Sequence, residues 1–154
     1  GLARVELPPH RAHPIAMGGR TVIDDCYNAN PGSMAAALRM LVASTGGGGR
    51  PAAILGDMLE LGDDALALHR ELGRQAAVSG VVALAAVGDF AEAIAEGARA
   101  GGLARVLATR DPREAADHVA RATGSGDVIL VKASRGVRLE RAVEALASSF
   151  KEPG

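Results

Sequence analysis

Three short runs in this sequence carry residues whose types and spacing can do chemistry. The first is Asp24-Asp25-Cys26-Tyr27-Asn28-Ala29-Asn30-Pro31. A carboxylate at the end of a strand can accept bonds from two ribose hydroxyls, and a tyrosine face can stack on a base. Asn30-Pro31 reads as a helix start, because Asn caps free N–H groups and Pro suits the first helical position. The free N–H groups of such a start can meet an anion. A plainer reading stands beside this one: Asp24, Asn28 and Asn30 can simply cap a tight strand-to-helix turn.

The second run is Lys132-Ala133-Ser134-Arg135-Gly136. A lysine and an arginine beside a hydroxyl can hold a carboxylate or a phosphate, and arginine can do so with a two-pronged bond. The alternative is a solvated basic turn. The third run, Leu55-Gly56-Asp57-Met58-Leu59-Glu60-Leu61-Gly62 with His69 downstream, offers two carboxylates and an imidazole. These suggest a metal or an acid–base site, but the spacing fits no metal signature, and a single histidine on a helix is more often structural.

The elements that must position these runs follow from periodicity. His13 to Met17 and Arg20 to Asp25 flank Gly18-Gly19 and read as a hairpin. Met34, Leu38 and Leu41 recur at i, i+4, i+7 and give a helix from Pro31 to about Ser44, stopped by Gly46 to Gly49. Buried strands are expected at Pro51 to Leu55, Val81 to Val87, Arg105 to Ala108 and Asp127 to Val131. Helices are expected at Asp64 to Ser79, Phe90 to Ala100, Asp111 to Thr123 and Arg138 to Phe150. Strands that are apolar throughout and separated by helices imply a parallel sheet covered on both faces. The fold class is therefore α/β: a Rossmann-like three-layer domain with a mostly parallel sheet of about six strands and an antiparallel edge hairpin. In such sheets ligands sit beyond the carboxyl ends of the strands, which is where all three runs fall. Lys151 to Gly154 read as a frayed end.

Composition narrows the function classes. The 154 residues suit one domain spanning 1–154, and 48% are apolar against only 2% aromatic. The core must therefore be built from Ala, Val, Leu and Ile. A net charge of -1 gives no global field for nucleic acid or an anionic membrane. The single cysteine, Cys26, forms no intrachain disulfide and excludes a multi-cysteine zinc site. No stretch has the roughly 20 apolar residues needed to span a bilayer. The expectation is a cytoplasmic domain without nucleic-acid partners or membrane insertion. No phosphate loop of the form G-x-x-x-x-G-K-[ST] occurs, and no G-x-G-x-x-G follows a strand. Thr45 to Arg50 is glycine-rich, but it ends a helix instead of opening one.

The runs together resemble the Mur ligase family, in particular its D-alanyl-D-alanine-adding members. Ile23 to Met34, I-D-D-C-Y-N-A-N-P-G-S-M, is similar to the D-D-S-Y-N-A-N-P-x-S-M segment of those enzymes. Leu55 to Gly62 with His69 and Gly73 resembles a second signature, and Leu130 to Arg135, L-V-K-A-S-R, a third, L-V-K-G-S-R. The three occur in the family's order between Arg11 and Leu146. The rival within the enzyme class is another Mur or folylpolyglutamate-type ligase domain. The rival outside it is a stand-alone nucleotide-sensing or interaction module.

The resemblance implies the C-terminal domain of a three-domain, ATP-dependent amide-forming ligase of peptidoglycan synthesis. An N-terminal domain holds the UDP-N-acetylmuramoyl-tripeptide. A covalently linked central ATPase domain carries the phosphate loop and the magnesium ligands, so ATP and Mg2+ are bound mainly there. The C-terminal domain closes over ATP and helps bind D-Ala-D-Ala. Carried over by position, Arg11 looks like the linker arginine that reaches ATP phosphate, although His10 stands where the family usually has glycine. Asp25 looks like the ribose-binding aspartate, with Tyr27, Asn28 and Asn30 on the nucleotide side. Lys132, Ser134 and Arg135 look like the loop facing the dipeptide, and Asp57 and His69 of the second signature are grouped with substrate binding. Cys26, Ala133 and Gly32 depart from the usual Ser, Gly and Asp. No catalytic nucleophile and no metal ligand is expected in this domain. The isolated chain is expected to be a monomer without ATPase activity.

Overall fold

The computed structural model describes residues 11–151. The expected frayed end lies, from Glu152 onward, outside the described residues, as do residues 1–10. The chain begins with a hairpin, β1 (His13–Met17) and β2 (Arg20–Asp25), paired antiparallel. The two-residue turn between them needs positive φ at both positions, and Gly18 and Gly19 supply +57° and +75°. Then follow α1 (Pro31–Ala43), β3 (Pro51–Gly56), a 3-10 turn (Gly62–Asp64), α2 (Ala65–Val78), β4 (Leu84–Val87) and α3 (Ala91–Ala100). The chain continues through β5 (Val106–Thr109), α4 (Pro112–Ala122), β6 (Val128–Lys132), a second 3-10 turn (Arg135–Val137) and α5 (Glu140–Ser149).

The strands form one six-stranded sheet in the order β1-β2-β6-β3-β4-β5, parallel from β2 onward. Successive side chains point to opposite faces, so β6 sends Val128 and Leu130 to one core and Ile129 and Val131 to the other. The first core joins α1, α2 and α3 through Met34, Leu38, Leu41, Leu72 and Ile94. The second joins α4 and α5 through Val119, Leu139 and Leu146. This is the expected three-layer architecture. With so few aromatics, the layers approach closely over small residues. At the α2–α3 crossing, a Cβ on Gly73 would lie 1.8 Å from the Ile94 carbonyl oxygen, and one on Gly97 would lie 1.8 Å from that of Arg70. Only glycine fits at either point.

The topology decides what can meet at the site. The β2–α1–β3 crossover leaves one slot open between β2 and β3, and the last strand, β6, fills it. Lys132 thereby becomes the Cα partner of Asp25 on one side and of Leu55 on the other. Residues more than a hundred positions apart in sequence stand side by side at the carboxyl edge.

Two element starts lie two or more residues from the sequence reading. Val81 and Ala83 are buried and Val82 is half-buried, but all three lie outside the regular ladder, which starts at Leu84. Apolar runs report burial, and they do not distinguish a ladder from its irregular lead-in. The helix expected from Arg138 instead starts at Glu140, because Arg138 takes a left-handed conformation (φ +57°) that closes the 3-10 turn. Strand β1 is largely exposed and not apolar throughout, as befits a sheet edge.

Candidate functional site at the carboxyl edge

The turn after β2 is built largely by its own polar side chains. Asn30 caps α1: its Oδ1 accepts from the Ser33 N–H at 2.8 Å, and the Ser33 hydroxyl accepts from the Asn30 N–H at 3.0 Å. This reciprocal box satisfies two of the helix's free donors. Asn28 turns its Oδ1 to the Ala29 N–H at 2.9 Å. Both asparagines therefore do the turn-building work that was the plainer reading of this segment, while they remain exposed at the rim of the site.

Asp25 has a different setting. Its Oδ2 accepts from the Lys132 ammonium at 2.9 Å, and its Oδ1 from the Ala12 N–H at 3.2 Å. Lys132 also donates to the Asn28 carbonyl at 2.8 Å, and its side chain is only 4% exposed against 14% for Asp25. An isolated buried ammonium is costly, and a carboxylate plus a carbonyl offset much of that cost. The sequence grouped Lys132 with the dipeptide loop. The fold turns its ammonium toward Asp25 and the Asn28 carbonyl, because β6 is inserted beside β2.

Ser134 is likewise engaged. Its hydroxyl accepts from the Leu59 N–H at 3.0 Å and donates to the Ala29 carbonyl at 3.3 Å, and its own N–H donates to the Asp57 carbonyl at 3.0 Å. Ser134 thus ties the loops after β2, β3 and β6 together. Arg135, the next residue, is exposed and has its guanidinium 5.5 Å from the centre of the Tyr27 ring. Arg11 approaches the same ring to 3.7 Å.

The second signature plays a supporting part. The buried Asp57 carboxylate accepts from the Asp89 and Phe90 N–H groups, each at 2.9 Å, and so caps the loop into α3. His69 is completely buried. Its Nε2 accepts from the Met58 N–H at 2.9 Å, its Nδ1–H donates to the Ala65 carbonyl at 2.6 Å, and its ring stacks on Phe90 at 4.2 Å. Those two bonds define a neutral imidazole with both nitrogens used. The structure therefore brings Arg11, Asp25, Tyr27, Lys132 and Arg135 together, and sets Asp57 and His69 beneath the adjoining loop as its framework. Among the described residues, no three metal-ligating side chains come together. Cys26 is buried, and burial followed by the charge of neighbouring Asp24 pushes its thiol far above the ordinary range, so it is no nucleophile.

A groove of about 660 Å³ opens beside this cluster, rimmed by Arg11, Asp25, Tyr27 and Lys132 and floored by Ala36 and Met40 of α1. The floor escaped the sequence reading because Met40 lies off the Met34, Leu38, Leu41 stripe. Its 36% exposure, on the face of α1 turned away from the core, marks it in the structure. Apolar floor, carboxylate, aromatic ring and cations together suit a planar base with a hydroxylated sugar and an anionic tail.

Comparison with known proteins matches most of the chain to one family. Residues 10–135 match the model of the Mur ligase, glutamate ligase domain. The chain is 38% identical over 132 residues to the UDP-N-acetylmuramoyl-tripeptide–D-alanyl-D-alanine ligase of Bacillus subtilis, covering 85% of this chain and 29% of that protein. It is 33% identical to the corresponding ligase of Escherichia coli, covering 95% of this chain and 31% of that protein. Among solved structures, the MurF ligase of Thermotoga maritima in complex with ADP superposes with a TM-score of 0.81 at 29% identity, over 97% of this chain and 33% of that one. A MurF from Acinetobacter baumannii gives 0.81 at 30% identity, over 94% of this chain and 32% of that one. The chain thus spans about a third of the relatives it matches.

Proposed function

The chain belongs to the Mur ligase, glutamate ligase domain family, and on that premise we propose that it is the C-terminal domain of an ATP-dependent ligase joining D-alanyl-D-alanine to UDP-N-acetylmuramoyl-tripeptide in peptidoglycan precursor synthesis. The observation that carries the reading is the convergence of Asp25, Tyr27 and Arg11 on one groove with an apolar floor. The Bacillus subtilis and Escherichia coli relatives, matched over 85% and 95% of this chain, are dipeptide-adding ligases by name, which supports the choice among family members.

In this reading the γ-phosphoryl group of ATP passes to the tripeptide carboxylate, giving an acyl phosphate and ADP. The dipeptide amine then attacks that carbonyl and expels phosphate. A covalently linked central domain supplies the phosphate loop and the Mg2+ ligands, and no metal step falls to the residues described above. This domain's part is binding and charge placement. Asp25, held by Lys132 and the Ala12 N–H, keeps lone pairs for the ribose hydroxyls. The α1 floor receives the adenine side, and Arg11 faces the phosphates. Arg135, exposed beyond the sheet edge, meets the dipeptide carboxylate. The reading places the reaction in the cytoplasm, where ATP is available.

The test is the kinetics of a full-length ligase carrying this domain. Asp25→Ala is expected to raise the KM for ATP by about 10- to 100-fold, the loss of roughly 1.5–3 kcal/mol in bonds to a charged acceptor, with the dipeptide KM changed far less. Unaltered ATP kinetics in a folded variant would return Asp25 to a purely structural partner of Lys132.

A further inference from the structure

Tyr27 is the only tyrosine in the sequence, and no tryptophan is present. Two arginines from opposite ends of the chain meet at its ring, Arg11 at 3.7 Å and Arg135 at 5.5 Å from the centroid. Both distances lie within the range over which a guanidinium is attracted to an aromatic face. The convergence is anchored on each side. Ala12, next to Arg11, donates its N–H to Asp25 two residues before Tyr27. Ser134, next to Arg135, donates its hydroxyl to the Ala29 carbonyl two residues after Tyr27. The buried Lys132 fastens the same turn from below through Asp25 and Asn28. The backbones that carry the two arginines are therefore tied to the turn that carries the ring.

Two guanidiniums held close together repel each other and, unanchored, would sample many rotamers. An electron-rich ring between their attachment points lowers that repulsion and limits that freedom before any ligand arrives. We propose that Tyr27 is a positioning residue shared by the two anion-binding arginines, so that the nucleotide and dipeptide subsites are set by one ring. The kinetic side of this proposal rests on the function proposed above. The ligand-free side does not. If one ring serves both arginines, its loss must disturb both substrates, whereas a base-stacking platform would disturb ATP alone.

Two measurements test it. The first uses the 154-residue chain without ligand and follows the arginine Nε–Hε resonances by NMR. Arg11 and Arg135 should both show ring-current shifts that vanish in Tyr27→Leu and persist in Tyr27→Phe. Arg20, which lies 3.9 Å from the Phe150 ring, serves as an internal control and should not move in either variant. Absence of a Tyr27-dependent shift at either arginine overturns the proposal. The second uses the full-length ligase. Tyr27→Leu should raise the KM for ATP and the KM for D-Ala-D-Ala each by about 3- to 10-fold, the range expected of partly desolvated cation–π contacts. Tyr27→Phe should leave both within twofold of the parent. An effect confined to ATP, or an effect of Tyr27→Phe as large as that of Tyr27→Leu, overturns the shared-ring account. A parent ligase that consumes neither ATP nor the dipeptide defeats the proposed function instead, and the NMR measurement still decides the role of the ring.

Discussion

Arg135 stands exposed after β6, its guanidinium 5.5 Å from the centre of the Tyr27 ring. Its type and its place after a strand were enough to suggest carboxylate recognition, and the structure leaves it exposed with no carboxylate partner among the described residues. Arg135→Lys keeps the charge but loses the planar fork. In a full-length ligase it is expected to raise the dipeptide KM by about tenfold while the ATP KM stays within twofold; a silent substitution would mark the loop as solvated surface. Lys132 was the opposite case. Its type was legible, but its direction was not, because the direction depends on β6 lying beside β2. Lys132→Met is expected to act through Asp25, so it should raise the ATP KM in the parent and add little on top of Asp25→Ala. Equal and additive effects of the two changes would show that they work independently. His69 was ambiguous in sequence, and two backbone partners decide for a structural role.

At the scale of elements, the 3.6-residue stripe and the capping residue of α1 were readable, because each is a local signal. The capping partner Ser33 was not, since a serine three residues into a helix has several uses. Asn30→Ala removes the cap and is expected to cost about 1 kcal/mol, seen as a lower melting temperature with unchanged substrate KM values. The α2–α3 crossing was invisible in sequence. In the sequence Gly73 stands only as part of the second signature, and the close approach of Ile94 to it and of Arg70 to Gly97 explains both glycines. Gly97→Ala forces a methyl group onto the Arg70 carbonyl and is expected to destabilise by roughly 2–3 kcal/mol or more, as overpacking does. A melting temperature equal to the parent's would mean that the crossing relaxes freely. The split between the second 3-10 turn and α5 was also unreadable, since nothing in the arginine type marks Arg138 for a left-handed conformation.

Across the whole molecule, the alternation of apolar strands and helices disclosed the layers, but not the strand order that creates the site. That order is held at the far edge of the sheet by Asp127, which sits just before β6. Its carboxylate accepts from the Arg50 N–H at 2.9 Å, the Gly124 N–H at 2.8 Å and the Arg50 guanidinium at 3.0 Å. Burial alone would raise its pKa, but these bonds outweigh burial and hold it below the ordinary carboxylate value. A carboxylate depressed in the folded state adds stability above its unfolded pKa, near 4, and loses that contribution as pH falls through the folded value. Asp127→Asn should therefore lower the melting temperature clearly at pH 7, with the gap to the parent shrinking below about pH 4. A gap independent of pH would remove the charge from the explanation.

The central claim is that this domain serves a ligase whose incoming nucleophile is a D-alanyl dipeptide. The most direct measurement incubates the full-length protein with UDP-N-acetylmuramoyl-tripeptide, ATP and Mg2+, and follows phosphate release and new amide product by mass spectrometry with each of three nucleophiles: D-glutamate, a diamino acid, and D-Ala-D-Ala. The account predicts product with D-Ala-D-Ala and only background turnover with the other two. Efficient ligation of D-glutamate or the diamino acid, with the dipeptide inert, would contradict it.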